Sequence, residues 1–280
     1  MRYNDNKRYE VHLPWLDNYA SLPDNLELAI RRLESISLHE NLYDAYEGIF
    51  LEWLHEGINE EVPVDEINFS GKYLPHRPVQ KESSTTTIIP VFDASARMKG
   101  HPSLNGTLHS GPNLIELIPD ILLRFGEKKI GVTGDTRKVS LQIIICKEDR
   151  DFLRFLWWKN KDCQEHKVFR HARVVFGVRS SPFLLEAVLK YHLAKNRDAD
   201  PFITKCLSIS FYVDNLLISV HNETELKRLI NVSNEFMKKG GFELRNWESS
   251  APTDVNSKTI DLLGLKCNMS EDIISINLKW

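Results

Sequence analysis

Two apolar runs that each come to an acidic residue restrict this chain more than any other feature. Ile130 to Thr133 is an apolar stretch ending in Gly134-Asp135, and Cys206 to Val220 alternates apolar and polar residues about a central Asp214-Asn215. A carboxylate in or at the end of a strand-like run is costly unless it pairs or binds a metal. The second run reads as a β-hairpin. Two such strands side by side bring Asp135 and Asp214 to one edge of a sheet. Carboxylates so placed can hold divalent cations that activate a 3′-hydroxyl and stabilise a pyrophosphate leaving group. Hard oxygen ligands with retained waters suit Mg²⁺. The same two residues also fit ordinary turn positions, and the pattern alone leaves both readings open.

The rest of the chain supplies helices and further strands in irregular alternation. Asp24 with Glu27 and Ser37 with Glu40 are capping-box-like starts. The second opens a helix whose Leu42, Tyr46, Ile49, Phe50 and Trp53 form an apolar stripe destined for a core, with Gly57 as its stop. From Pro63 to about Leu108 short extended pieces are expected, Ile88 to Phe92 among them, with a loop over Ala96 to Gly106. Leu114 to Phe125 reads as a helix, Leu141 to Cys146 as a strand or turn, and Phe169 to Val178 as a strand. Ser181-Pro182 starts a helix running to about Leu193. Asn222 with Glu225 caps another that Gly240-Gly241 ends, and Ile260 to Leu265 and Ile273 to Leu278 form a strand pair. An α+β fold follows, an antiparallel palm-like sheet backed by helices.

Composition excludes a few classes. The formal net charge is −3, so no global positive field advertises nucleic acid, although one basic cleft remains compatible with it. The four cysteines lie 17, 43 and 61 residues apart without a CxxC pair, which suggests neither a zinc site nor a disulfide framework. A polar start without an apolar h-region, and no run of about 18 apolar residues, lead to the expectation of a soluble intracellular protein without a membrane partner.

The words around the two acidic residues carry more. Phe211-Tyr212-Val213-Asp214-Asn215-Leu216-Leu217 resembles the FYVDDLL hairpin of reverse transcriptases. Other segments resemble the reverse transcriptases of Bel/Pao LTR retrotransposons, in that family's order. They include Leu13-Pro14-Trp15, Tyr73-Leu74-Pro75-His76, Val91-Phe92-Asp93-Ala94, Ser103-Leu104-Asn105, Asp149-Arg150-Asp151-Phe152, Val175-Phe176-Gly177, Gly240-Gly241-Phe242 and Leu263-Gly264-Leu265. The resemblance spans about residues 8 to 270. It implies an N-terminal helical region over 1–62, a fingers-like region over 63–130, and a palm-like region over 131–280 with motifs A to D and a primer-grip-like segment. It makes Asp135 and Asp214 the metal ligands. Asn215 takes the second motif C position, and Ser140, Gln142, Phe176 and Gly177 surround the incoming nucleotide. Mg²⁺ or Mn²⁺ is the implied cofactor. The implied partners are an RNA or DNA template with its primer and a deoxynucleoside triphosphate. No thumb, RNase H or integrase-like segment is expected before Trp280.

Departures from the family pattern fall on the chemistry. Asn215 stands for an Asp, Ser140 for the aromatic residue under the ribose, and Thr87 and Ile89 for the usual Lys and Arg of a finger strand. Asn246 replaces a Lys and Cys267 a Trp. An aliphatic side chain cannot fork a triphosphate as Arg does. A loss of about 2–3 kcal/mol per site slows turnover roughly 30- to 150-fold each. The expectation is impaired two-metal nucleotidyl transfer. The alternative is a non-catalytic, host-retained module that binds nucleic acid or protein, or a relic of a decaying element.

Overall fold

The computed structural model describes residues 1–4, 7–18, 22–37, 40–80, 88–251, 259–268, 271 and 273–276. Thr87, the Ser37–Glu40 capping box and the end of the tail strand at Leu278 lie outside the described residues or side chains. The chain divides into two compact units, residues 1–112 with 140–184, and residues 113–139 with 185–280.

In the first unit, Asp24 accepts the Leu26 N–H at 3.0 Å as an Asx turn just before the helix Leu26–Ser37, in place of the expected capping box with Glu27. The next helix, Glu40–His55, buries Tyr46, Phe50 and Trp53, the core stripe read from the sequence. It ends in a Schellman turn, with Gly57 at φ 65° and the Ile58 N–H reaching back to the Trp53 carbonyl at 2.8 Å. A three-stranded antiparallel sheet follows, with His166–His171 between Asn59–Glu61 and Arg154–Trp158. The hairpin His76–Gln80 with Ile88–Phe92 completes the walls. Phe92, Phe155, Trp157, His76 and His171 fill the space between them. Phe92 meets the His171 ring edge-on at 4.3 Å, and Phe155 stacks on it at 4.8 Å.

A charged seam crosses the same unit. Arg170, 3% exposed, pairs with Glu60, Glu66 and Asp151 at 2.6, 2.6 and 2.9 Å. Arg154, 1% exposed, binds Asp151 and the carbonyls of Glu66, Ile67 and Phe69. Buried guanidinium groups are tolerated only when saturated in this way. A small mixed sheet joins Arg2–Tyr3, Tyr9–Val11 and Ile144–Ile145, and Val11 runs parallel to and in register with Ile145.

The second unit holds a four-stranded antiparallel sheet in the order Phe211–Tyr212, Asn215–Val220, Ile130–Thr136, Leu244–Ser249. The helices Ile118–Phe125, Pro201–Ser208 and Glu223–Lys239 pack against it. Asn222 caps the last of these by accepting the Glu225 N–H at 2.9 Å, and Gly240 ends it, as the sequence predicts. Ile121, Phe125 and Leu217 share a core with Ile260, Leu262 and Cys267, so Cys267 is a buried apolar contact.

Several boundaries differ from the sequence reading. Cys206 to Ser208 is helix, because Asp200 accepts the Ile203 N–H at 3.1 Å and Pro201 takes a first-turn position. The hairpin starts only at Phe211. The strand expected over Phe169 to Val178 is His166–His171, and the chain turns through Gly177 afterwards. The helix expected from Leu114 begins at Ile118, next to Pro119. Leu141 to Cys146, read as a strand or turn, holds both: the end of the 3-10 turn Val139–Gln142 and then the strand Ile144–Ile145. The tail is three strands, Thr259–Leu262, Leu265–Asn268 and Ile273–Ile276, since Leu263-Gly264 makes a turn of positive φ inside the first predicted strand.

Candidate active site

The strands that carry Asp135 and Asp214 are neighbours. Asn215 stands directly across the ladder from Asp135, and the Asp214 carbonyl accepts the Thr136 N–H at 2.8 Å. Asp135, Asp214 and Asn215 therefore meet at one end of the sheet. On the opposite flank Asp135 pairs in register with Arg245.

The hairpin tip is tight. Tyr212 pairs with Asn215, which leaves Val213 and Asp214 as a two-residue loop. Val213 has φ 58°, in the left-handed region. A β-branched residue seldom enters it, and a first loop position of positive φ normally takes glycine. Strained backbone of this kind persists where the surroundings over-determine it, often at functional sites. Asn215 Nδ2 donates to Asp214 Oδ1 at 3.1 Å, so the residue that departs from the pattern holds the aspartate beside it.

The strand Leu244–Ser249 adds donors that the sequence reading missed. Arg245 Nε donates to Asp135 Oδ1 at 3.1 Å, and Asn246 Nδ2 donates to Oδ2 at 3.2 Å. The ladder slips between Arg245 and Glu248, and Asn246 has φ 50°. A bulge re-aims side chains, which brings two consecutive residues onto one carboxylate. Arg245 is 45% exposed, so the pair contributes at most about 1 kcal/mol and can open. Trp247 crosses Gly134, where an added Cβ would sit 3.1 Å from its ring.

The other predicted site residues belong to the first unit. Ser140 is buried. The Gln142 side chain is engaged by Arg8 Nη1. Phe176 is about half exposed. Gly177 has φ 100°, and a Cβ there would lie 2.1 Å from the Phe92 carbonyl oxygen, so only glycine fits. Asn105 brackets this turn, donating to the Gly177 carbonyl at 3.0 Å and accepting the Arg179 N–H at 2.7 Å. Ile89 is half-buried on the hairpin opposite Val79. Two cations the sequence reading did not single out, Arg32 and Arg77, line a cavity of about 430 Å³ with Asp93 and Gly177.

The sheet, its register and its backing helices define a reverse-transcriptase-like fold, and the solved structures it matches agree. The chain is similar to foamy viral protease-reverse transcriptase in complex with RNA/DNA hybrid, with TM-score 0.61 and 16% identity over 85% of this chain and 27% of that one. It is also similar to the foamy viral enzyme in complex with dsDNA, with TM-score 0.60 and 15% identity over 96% and 47%. The chain thus spans between about a quarter and a half of those proteins' length. No protein-family model and no curated protein matches it. Among the described residues no helix is long and apolar enough to cross a membrane.

Proposed function

We propose that this chain is the fingers-and-palm part of a reverse transcriptase of Bel/Pao retrotransposon descent, with weakened template-directed nucleotidyl transfer. The observation that carries the reading is the meeting of Asp135 and Asp214 on adjacent strands at one sheet end. Region 63–130 is assigned to the fingers, 131–280 to the palm, and 1–62 to an N-terminal helical region. The donor set fits a hard dication: two carboxylates, with Asn215 next to Asp214 in the chain and across the ladder from Asp135. Asp135 and Asp214 would hold Mg²⁺ or Mn²⁺. When bound, the ion supplies positive charge to the reacting phosphates.

The chain's own residues explain the weakening. Asn215 offers one carboxylate fewer. The Asp135 oxygens already accept from Arg245 and Asn246, so metal binding competes with a guanidinium and an amide. Ile89 offers no fork to a triphosphate, and Ser140 no aromatic floor to a sugar. Electrostatic positioning is usually the largest contribution in phosphoryl transfer, so losses here weigh most.

The Arg245–Asp135 pair also favours a second reading, a non-catalytic module that binds a template–primer or a protein, because the pair neutralises the carboxylate without a metal. Primer extension separates the two, on an RNA or DNA template with deoxynucleoside triphosphates and Mg²⁺ or Mn²⁺. Slow incorporation that disappears in Asp135→Asn and Asp214→Asn supports the polymerase. Template binding with no incorporation under either ion supports the binding module.

A further inference from the structure

The register Val11–Ile145 brings together two segments that lie far apart in sequence. His12 follows one strand, and Cys146 follows the other as the N-cap of a short helical turn, Lys147–Arg150. Glu148 lies in that turn. Ligand atoms of His12, Cys146 and Glu148 all lie within 4.8 Å of one another. Cys146 is 7% exposed, whereas His12 and Glu148 are exposed.

The arrangement has the outer support that metal-binding histidines use. His12 Nδ1 faces Asp149 Oδ2 at 3.1 Å, and that carboxylate is fixed by the Leu13 N–H and the Trp15 Nε1–H, each at 2.8 Å. A carboxylate on one ring nitrogen sets the tautomer and leaves Nε2 for an ion. Glu10, Glu148 and Asp149 all place negative charge near the thiol, a field that favours a dication. We propose that His12, Cys146 and Glu148 form a zinc site that ties the N-terminal strand to the Ile144–Arg150 corner, with water or an outside group as the fourth ligand.

The ligand types select the ion. One sulfur, one imidazole and one carboxylate suit Zn²⁺ better than Mg²⁺ or Ca²⁺, which take oxygen. Bonds of about 2.0–2.3 Å in a tetrahedron put neighbouring ligand atoms about 3.5 Å apart. Closing from 4.8 Å thus asks for about 1 Å of movement. The exposed Glu148 side chain provides it by changing rotamer, while His12 stays on Asp149. The site shares no residue with the proposed active site, and its occupancy is measured without any polymerase assay.

The probe is Co²⁺, added to the whole chain in reducing buffer after treatment with a chelator. The expected result is one ion per chain. It should show a sulfur-to-cobalt charge-transfer band and the intense visible bands of four-coordination, both displaced by Zn²⁺. Cys146→Ser should abolish the charge-transfer band, and Cys163→Ser should keep it. His12→Ala and Glu148→Ala, at exposed positions that leave the core intact, should each weaken binding at least 10-fold. A parent chain without a sulfur-to-cobalt band overturns the proposal, as does a band that survives in folded Cys146→Ser. If Cys146→Ser fails to fold, the exposed pair decides: affinity unchanged in both His12→Ala and Glu148→Ala also overturns it.

Discussion

Mild acid should destabilise the first unit through two histidines buried in its aromatic core. His171 is fully buried, and among the described residues neither ring nitrogen has a hydrogen-bond partner. Burial, helped by the nearby His76, lowers its pKa to about 3. His76 is lowered to about 4 by burial, against the hydrogen bond it donates to the Leu156 carbonyl at 2.9 Å. In the unfolded chain both titrate near 6.5. The folded state therefore binds fewer protons, and the stability present above pH 6.5 is lost as pH falls toward 4 and then 3. The slope approaches about 1.4 kcal/mol per pH unit for each site, so from pH 7 to pH 5 each loses about 2 kcal/mol and the pair about 4. That is a large share of the roughly 5–15 kcal/mol that holds a domain together. Glu186 works the other way in the second unit: burial raises its carboxyl to about 7, so it adds stability as pH falls. The assay is urea unfolding at pH 7, 6 and 5, followed by tryptophan fluorescence. At an m-value of about 2–3 kcal/mol/M the midpoint should drop by roughly 1.5 M. His171→Phe keeps the ring stack and removes one titration, which should halve the drop. If this variant folds and shows the parent's full pH dependence, the reasoning is wrong.

Four further substitutions test the geometry. Gly177→Ala places a Cβ against the Phe92 backbone in a conformation that alanine avoids, and should cost about 3 kcal/mol or more, a fall of roughly 10 °C in Tm; an unchanged melt would refute the close approach. Val213→Gly should raise stability by about 0.5–1 kcal/mol, the left-handed penalty of about 1–2 kcal/mol less the entropy of glycine, as read from urea midpoints; a loss above about 1 kcal/mol would show that the loop is unstrained. Asn215→Asp should restore only a small part of single-turnover incorporation, and adding Ile89→Arg should help more in that background than in the parent. A folded double variant as inactive as the parent would sink the residue-level account.

What the sequence made legible was local and periodic. The strands ending at Asp135 and flanking Asp214 announce themselves through apolar runs closed by an acid, and the Asn222 cap through residues three apart. The helix Pro201–Ser208 was overlooked because its end shares the alternation of the following strand, while the start signal Asp200-Pro201 lies outside that run. The Arg245 and Asn246 donors could not be read, because a bulge decides which way consecutive side chains point. The neighbourhood of His12 and Cys146 depends on a parallel pairing across more than a hundred residues, for which no short motif exists. Ser140 was legible as a departure, but not its burial, which comes from tertiary packing.

The path of the backbone has a consequence for how the molecule is made. The chain leaves the first unit at residue 112, returns at 140 and leaves again at 184. Emerging from a ribosome, the hairpin His76–Gln80 with Ile88–Phe92 waits for Phe155 and His171, and the acids Glu60 and Glu66 wait for Arg170. Such late-arriving partners make nascent chains slow to close and exposed to aggregation meanwhile. Cutting the gene at residue 112 would free neither half. The shortest continuous fragment holding the whole first unit runs to residue 184 and carries 113–139 with it, stripped of its partner strands Asn215–Val220 and Leu244–Ser249.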